Sequence, residues 1–218
     1  MISVLIPIYN GIEFIDESVQ SVINQTYCDW ELLIGINGHC ENSSIYQKAK
    51  HYESVDPRIK VYDFCHLSGK SNTLNHMITL CNYEYISLLD VDDAWHPKKL
   101  ELQIQHLEYD VIGSRCVYFG NMNGIVPDIP VGNISTFDFT KVNPIINSSC
   151  IIRKEFAFWD SSVDGVEDYD LWLRLHKQGK SFYNCSQILV KHRIHGSSAF
   201  NTQSHDDKLQ KILSNYSK

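Results

Sequence analysis

The sequence predicts an α/β fold with a mixed, mainly parallel sheet flanked by helices. Three observations lead there. Short apolar or β-branched runs at Val4 to Ile8, Glu31 to Ile36, Ile59 to Phe64 and Tyr85 to Leu89 alternate with polar or helix-patterned segments, as in sheets built from crossover connections. Between the first two runs, Ile15, Val19, Val22 and Ile23 recur at the spacing of an amphipathic helix. The fourth run hands over to Asp90, Asp92 and Asp93, and the carboxyl ends of strands are where open α/β sheets bind ligands.

In chain order, "MISVLIPIYN" lacks the basic start and small-residue cleavage site of a secretory leader and reads as a first strand. A cytoplasmic location is expected. After the aspartates, Pro97 suits the first position of a helix whose core face is Leu100, Ile104 and Leu107. From Val111 to about Val142, Gly113, Gly120, Gly124, Pro127, Pro130 and Gly132 punctuate short apolar pieces and predict hairpins and loops. "SSCIIR" reads as a strand, and "VEDYDLWLRLHKQGK" as a helix with Leu171, Trp172 and Leu175 on one face and Gly179 as its stop. "QILVKHRIHGSS" reads as a last strand running into a polar loop, and the tail from Asn201 as a weakly packed or frayed helix. A chain of 218 residues holds one well-cored domain with at most a modest extension.

Composition narrows the function. A formal charge of -7 and the lack of a basic stripe exclude a nucleic-acid surface. The longest apolar runs fall far short of a membrane-spanning helix. Seven cysteines are scattered without a C-x-x-C pair, which argues against a zinc site and for free thiols.

The aspartates of "ISLLDVDDAW" place three carboxylates within four positions, where their repulsion is poorly screened. Two readings stay open. Asp92 or Asp93 caps the following helix, or a hard divalent cation gathers the set and bridges it to a diphosphate. Asp168, three, four and seven residues before Leu171, Trp172 and Leu175, lies on the buried side of its helix, as a cap or as a working group. Glu167 complements the helix dipole, and Asp170 with Arg174 has intrahelical ion-pair spacing. His195 beside Arg193 suits a metal or a phosphate, but a lone histidine is more often a packing residue. Lys70 in "SGKSN" is no P-loop lysine, because Phe64 stands where that motif needs glycine.

The order of these motifs resembles the family-2 glycosyltransferases of the GT-A fold. It runs from "SVLIPIYNGIEFIDESVQSVINQTYCDWELLIGING" through "GKSNTLN", "YISLLDVDDAWHPKKLELQIQHL" and "VEDYDLWLRLHKQG" to "RIHGSS", over residues 2 to about 198. The resemblance implies one GT-A domain over 1–200, with a nucleotide-binding half at 1–110 and an acceptor-binding half at 111–200, then a tail or helix at 201–218. It implies an inverting hexosyl- or N-acetylhexosaminyl-transferase that uses manganese or magnesium and a nucleoside diphosphate sugar, a UDP-sugar first. The acceptor is a glycan, a lipid-linked group or a protein. By the same resemblance, Pro7, Ile8 and Tyr9 line the nucleotide pocket, and Gly69, Lys70, Ser71 and Asn75 lie near it. The D-x-D motif maps onto Asp90, Val91 and Asp92, the first carboxylate near the ribose and the second on the metal. The E-D motif maps onto Glu167 and Asp168, with Asp168 as general base. Arg174, Arg193 and His195 match positions near the diphosphate or metal, His195 as a second metal ligand.

Two features depart from the family pattern. Relatives carry "DDGS" after the second strand, where this chain has "INGH"; Ile36 and Asn37 replace two carboxylates, and Asn37 can still hydrogen-bond a base edge. "FWDSSVDGVED" replaces a Gly-Gly turn before the E-D motif. A sugar-1-phosphate nucleotidyltransferase would carry a glycine-rich, arginine-bearing loop after the first strand, and "PIYNGIEF" has one glycine and no arginine. The remaining alternative is a catalytically lapsed sugar-nucleotide-binding module, for which the missing "DDGS" carboxylates speak.

Overall fold

The computed structural model describes residues 1–196 and 205–216. Its first half is built on four parallel strands, β1 (Ile2–Ile8), β2 (Trp30–Asn37), β3 (Ile59–Phe64) and β4 (Tyr85–Leu88), in the order β3-β2-β1-β4. The connections carry α1 (Ile15–Ile23), α2 (Ser44–Lys50), the single turn α3 (Tyr52–Val55) and α4 (Lys70–Leu80). Alternation along the strands sorts their side chains onto the two faces. Val4, Ile6 and Ile8 of β1 and Leu32, Ile34 and Ile36 of β2 pack with Ile15, Val19 and Val22 of α1. Leu5 and Leu33 point the other way and pack with Leu74, Met77 and Ile78 of α4. The runs read as nearly continuous apolar stretches because both faces are covered.

The sheet continues from β4 through β8 (Ile151–Arg153), β6 (Val111–Gly120) and β9 (Phe182–Ile194) to β5 (Ala94–Trp95), with β7 (Gly132–Asn133) also on β9. The antiparallel ladders of β8, β5 and β7 are two or three residue pairs long. The β6–β9 ladder is parallel and long, from Val111↔Phe182 to Gly120↔Ile194, with a bulge around Arg115. It returns β9 to the carboxyl edge of β4, which brings His192 to His195 against the aspartates.

Several elements differ from expectation. Val111–Gly120 is one strand rather than part of a loop region. Gly113 lies inside it because a Cβ there would meet Asn184 Oδ1 at 2.1 Å, so the glycine marks a close approach and not a turn. The last strand begins at Phe182, ahead of the expected run. The helix after Pro97, α5 (Lys99–Gln103), ends in a 3-10 turn over Ile104–His106. Its first N–H groups are met by His96 Nδ1 at Lys98 (3.2 Å) and Gln25 Oε1 at Leu100 (3.0 Å), so Asp92 and Asp93 do not cap it. Glu167–Lys177 forms α6, and Gly179 follows at φ 73°, where the left-handed conformation stops the helix as expected. The tail holds α7 (Asp206–Ser214), whose Ile212 is buried in the second core, so it packs more firmly than its sequence suggested. The expected boundary at residue 200, Ser197 and Ser198 of "RIHGSS" and the last two residues lie outside the described residues.

Candidate active site

The D-x-D turn leaves the carboxyl edge of β4 with each carboxylate already matched by a partner. Asp90 Oδ1 lies 2.6 Å from Lys70 Nζ, and Asp90 Oδ2 accepts from Asn147 Nδ2 (3.0 Å) and Ser148 Oγ (3.3 Å). The Asp90 N–H donates to Ser148 Oγ at 3.1 Å. Burial works to raise the Asp90 carboxyl, but Lys70 and Asn147 outweigh it and hold the group below its ordinary value. Burial likewise opposes the charge on Lys70, and Asp90 together with Glu167, 3.7 Å away, reverses that and holds the ammonium above its ordinary value.

Asp92 faces the end of β9. His195 Nε2 donates to Asp92 Oδ2 at 2.9 Å, and the His195 ring stands 5.0 Å from that of Phe14. Burial first, then Asp93 and Asp90, raise the Asp92 carboxyl. Asp93 is 1% exposed and serves the fold: His192 Nδ1 donates to Oδ2 at 3.0 Å and the Arg193 N–H donates to Oδ1 at 2.8 Å. The Asp93 carboxylate overcomes the burial of His192 and pushes that imidazole up to about 9. Arg193 is committed to this turn. Its Nε donates to Asp92 O at 2.8 Å, its guanidinium pairs with Glu17, and it stacks on the rings of Phe14 and Phe119. Among the described residues no group of three or more His, Cys, Asp or Glu side chains is arranged to hold a metal. Asp92 and His195 make a mostly buried pair of one carboxylate and one imidazole.

The E-D motif begins α6 beside α4. Gly69 precedes α4 at φ 86°, where a Cβ would fall 2.2 Å from Asp164 Oδ2. Asp164 Oδ1 accepts the Ser71 N–H at 3.2 Å and also the Ser71 hydroxyl, so the loop before α6 caps α4. Asn75 reinforces the joint, giving Nδ2 to Trp159 O (2.7 Å) and taking the Trp159 N–H on Oδ1 (2.9 Å). The stretch "FWDSSVDGVED" is thereby fixed to α4, and Lys70 is brought to Glu167. Glu167 Oε2 accepts the Gly165 N–H. Asp168 Oδ1 accepts the Tyr169 N–H at 2.7 Å and Oδ2 accepts from Asn143 Nδ2 at 3.2 Å. Burial, then Glu167, push the Asp168 carboxyl up to about 6, against Lys70, Tyr169 N–H and Asn143. Arg174 pairs with Asp170 at 2.7 Å and donates to Phe158 O at 2.6 Å, as the intrahelical reading of its spacing has it.

At the β1 and β2 edge, Pro7 is half-buried, Ile8 and Ile36 are fully buried, and Asn37 is 5% exposed. Tyr9 is 58% exposed, and its ring lies where a Cβ on Gly38 would be, 2.5 Å away. His39 Nε2 donates to Tyr9 O at 2.7 Å, with the two rings 5.6 Å apart. Val91 packs on Gly11 in the turn after β1, its Cγ1 3.0 Å from where a Cβ would stand.

Lys70, Asp90, Glu167 and Asp168 thus form one charged cluster, with Asp92 and His195 beside it across the D-x-D turn. Ser71, Asn75, Arg174 and Arg193 spend their polar groups on internal joints. Sequence reasoning did not single out Asn143, Asn147, Ser148, His192 or Asp164. The only sign of the first three is that "NPIINSSC" keeps two amides and two hydroxyls in an otherwise apolar stretch.

The model of the family described as Glycosyl transferase family 2 matches residues 3–163, which include the D-x-D turn and stop before the E-D motif. The O-antigen biosynthesis glycosyltransferase WbnJ of Escherichia coli is 29% identical over 91% of this chain and 81% of its own length. The Escherichia coli UDP-Glc:alpha-D-GlcNAc-diphosphoundecaprenol beta-1,3-glucosyltransferase WfgD is 29% identical over 91% of this chain and 79% of its own. S. aureus TarS 1-349 in complex with UDP-GlcNAc superposes with a TM-score of 0.79 at 14% identity, covering 99% of this chain and 66% of that one. Mannosyltransferase PcManGT of Pyrobaculum calidifontis, in complex with GDP-Man and Mn2+, gives 0.70 at 13% identity over 98% and 68%. The last two likenesses establish the GT-A fold, and the family model establishes that this chain belongs to glycosyl transferase family 2.

Proposed function

We propose that the protein transfers a sugar from a nucleoside diphosphate sugar to an acceptor hydroxyl with inversion at the anomeric carbon, and that Asp168 is the general base. The observation that carries this reading is the meeting of the D-x-D and E-D motifs in one cluster, where Asp168 is pushed up to about 6, close to the range in which a base works at neutral pH. Residues 1–110 are assigned to the donor and 111–200 to the acceptor, with Pro7, Ile8, Tyr9, Asn37 and Val91 on the nucleotide side. The Ile36 side chain is buried in the core and has no polar atom to offer a base, which leaves the Asn37 side chain to read the base edge by donating and accepting. A UDP-sugar is the first candidate donor, supported by the solved TarS complex.

Manganese or magnesium fits Asp92 and His195, since such ions take one or two protein ligands and complete their shell with phosphate oxygens and water. The imidazole nitrogen favours manganese. When bound, the ion neutralises charge on the departing diphosphate. Asp92 and His195 would hold it through a carboxylate oxygen and a ring nitrogen. Lys70 keeps Asp90 ionised, and Asp168 takes the acceptor proton. The acceptor is a lipid-linked or other glycan, in line with the name of WfgD. Among the described residues no helix is long and apolar enough to cross a membrane.

The test is a transfer and hydrolysis assay with UDP-glucose, UDP-N-acetylglucosamine and GDP-mannose with manganese, following the anomeric proton by NMR. Asp168→Asn is expected to bind donor and lose transfer by about 1,000-fold or more. Transfer at wild-type rate in that variant, or a retained anomeric configuration, contradicts the reading.

A further inference from the structure

We propose that Asn143 is a positioning residue for the reaction, orienting the Asp168 carboxylate for proton removal through its side-chain N–H. The proposal rests on the reading of Asp168 as the base.

The local geometry fixes which end of the amide faces the carboxylate. Asn143 Oδ1 accepts the Ile145 N–H at 3.3 Å, and a backbone N–H can be met only by the oxygen. The NH2 group must therefore face Asp168 Oδ2, at 3.2 Å. The stretch behind it is firmly held. Ile145 is 1% exposed, and Pro144 O accepts from the fully buried Asn184 at 2.8 Å. Since Tyr169 N–H occupies Oδ1, both oxygens of Asp168 are bonded and the plane of the carboxylate is set. Four residues on, the same stretch holds Asp90 through Asn147 and Ser148, so one segment sets both carboxylates.

The charge of the surroundings explains why an amide is useful there. Asp168 is faced by Glu167 on its own helix, by Lys70 from α4, by the neutral thiol of Cys150 next to β8, and by the phenol of Tyr169. Burial and Glu167 oppose its ionisation, whereas Asn143 favours it. A neutral donor stabilises the anion without the full charge that would bind it as a salt bridge and lower its basicity.

Asn143→Asp separates orientation from mere turn formation. It keeps an oxygen for the Ile145 N–H and nearly the same shape, but sets a second carboxylate against Asp168. Asn143→Ala removes both bonds. Carboxyl signals of 13C-aspartate-labelled protein are titrated by NMR, the Asp168 signal being the one lost in Asp168→Asn. Hydrolysis of UDP-glucose, UDP-N-acetylglucosamine and GDP-mannose with manganese is followed in parallel.

The expected result is that Asp168 titrates about one pH unit or more higher in Asn143→Asp and by a smaller upward shift in Asn143→Ala. Hydrolysis near pH 6.5 falls by about threefold or more in Asn143→Asp, with donor KM within about twofold of wild type. An unchanged Asp168 titration in both variants overturns the proposal, as does failure of both to fold, which would assign Asn143 to the fold alone. Undiminished hydrolysis in Asp168→Asn instead overturns the base assignment on which the proposal rests.

Discussion

The Lys70 ammonium lies 2.6 Å from the Asp90 carboxylate, so a cation from the chain itself joins the D-x-D turn to the E-D helix. Crowded carboxylates at a strand end suggest a metal, yet here Asp90 is matched by Lys70, Asp92 by His195 and Asp93 by His192. Lys70→Met is expected to lower stability by roughly 1–2 kcal/mol, discounted for the 34% exposure of the lysine. Donor binding is expected to weaken with it, because Asp90 is then held only through Oδ2 by Asn147 and Ser148. A urea midpoint equal to wild type contradicts the pairing.

Asp92 and Asp93 are neighbours with opposite duties. Asp93→Ala removes the acceptor that the half-buried His192 and the Arg193 N–H share, and is expected to cost about 3 kcal/mol in urea denaturation. Asp92→Ala relieves repulsion from Asp93 and Asp90, so its stability stays within about 1 kcal/mol of wild type, while the thermal shift on adding manganese and UDP disappears. The reverse ranking of the two variants contradicts the assignment.

Asp168, the proposed base, carries its charge at a cost to stability. Its carboxyl moves from 3.8 to about 6 on folding, so between those values the folded chain holds a proton that the unfolded chain has lost. Stability from this group therefore falls as pH rises through that window, and the penalty is full above about 6. Asp168→Asn is expected to match wild type at about pH 4 and exceed it by on the order of 1–2 kcal/mol at about pH 7.5. If Asp168 is the base, wild-type turnover is expected to fall in the opposite sense, as pH drops through about 6. Equal stability of the two proteins at both pH values contradicts this account.

Lys99 offers a second pH test away from the site. It is fully buried, with Nζ 3.0 Å from Ser87 Oγ and 3.9 Å from the Trp95 ring centroid. Burial lowers it from 10.5 to about 7. As pH rises across that interval the unfolded chain keeps a proton the folded chain has released, so stability from this group rises with pH. Lys99→Met is expected to be more stable than wild type by about 2 kcal/mol near pH 7, with the gap closing toward pH 10. A gap that stays constant with pH in thermal melts contradicts the assignment.

The first half of the fold was legible because its strands are buried on both faces and its helices carry one apolar stripe, as in Ile15, Val19 and Val22 against Val4 and Ile6. The stretch from Val111 was harder. Gly113 looks like a turn signal in sequence but answers to Asn184, a residue far along the chain. The site divided in the same way. Motif carboxylates can be found by spacing, whereas Asn143, Asn147 and Asp164 act through hydrogen bonds between distant segments, which no local pattern records. Arg193 shows the converse, a residue singled out by its neighbours whose guanidinium is held by Glu17 and two phenylalanine rings.

Calorimetric titration of UDP and GDP, with manganese and with excess chelator, decides whether the D-x-D turn holds a diphosphate through a metal ion. At least one of them is expected to bind only with the metal present and to lose that binding in Asp92→Ala. Equal affinity with the chelator present, or in Asp92→Ala, contradicts it.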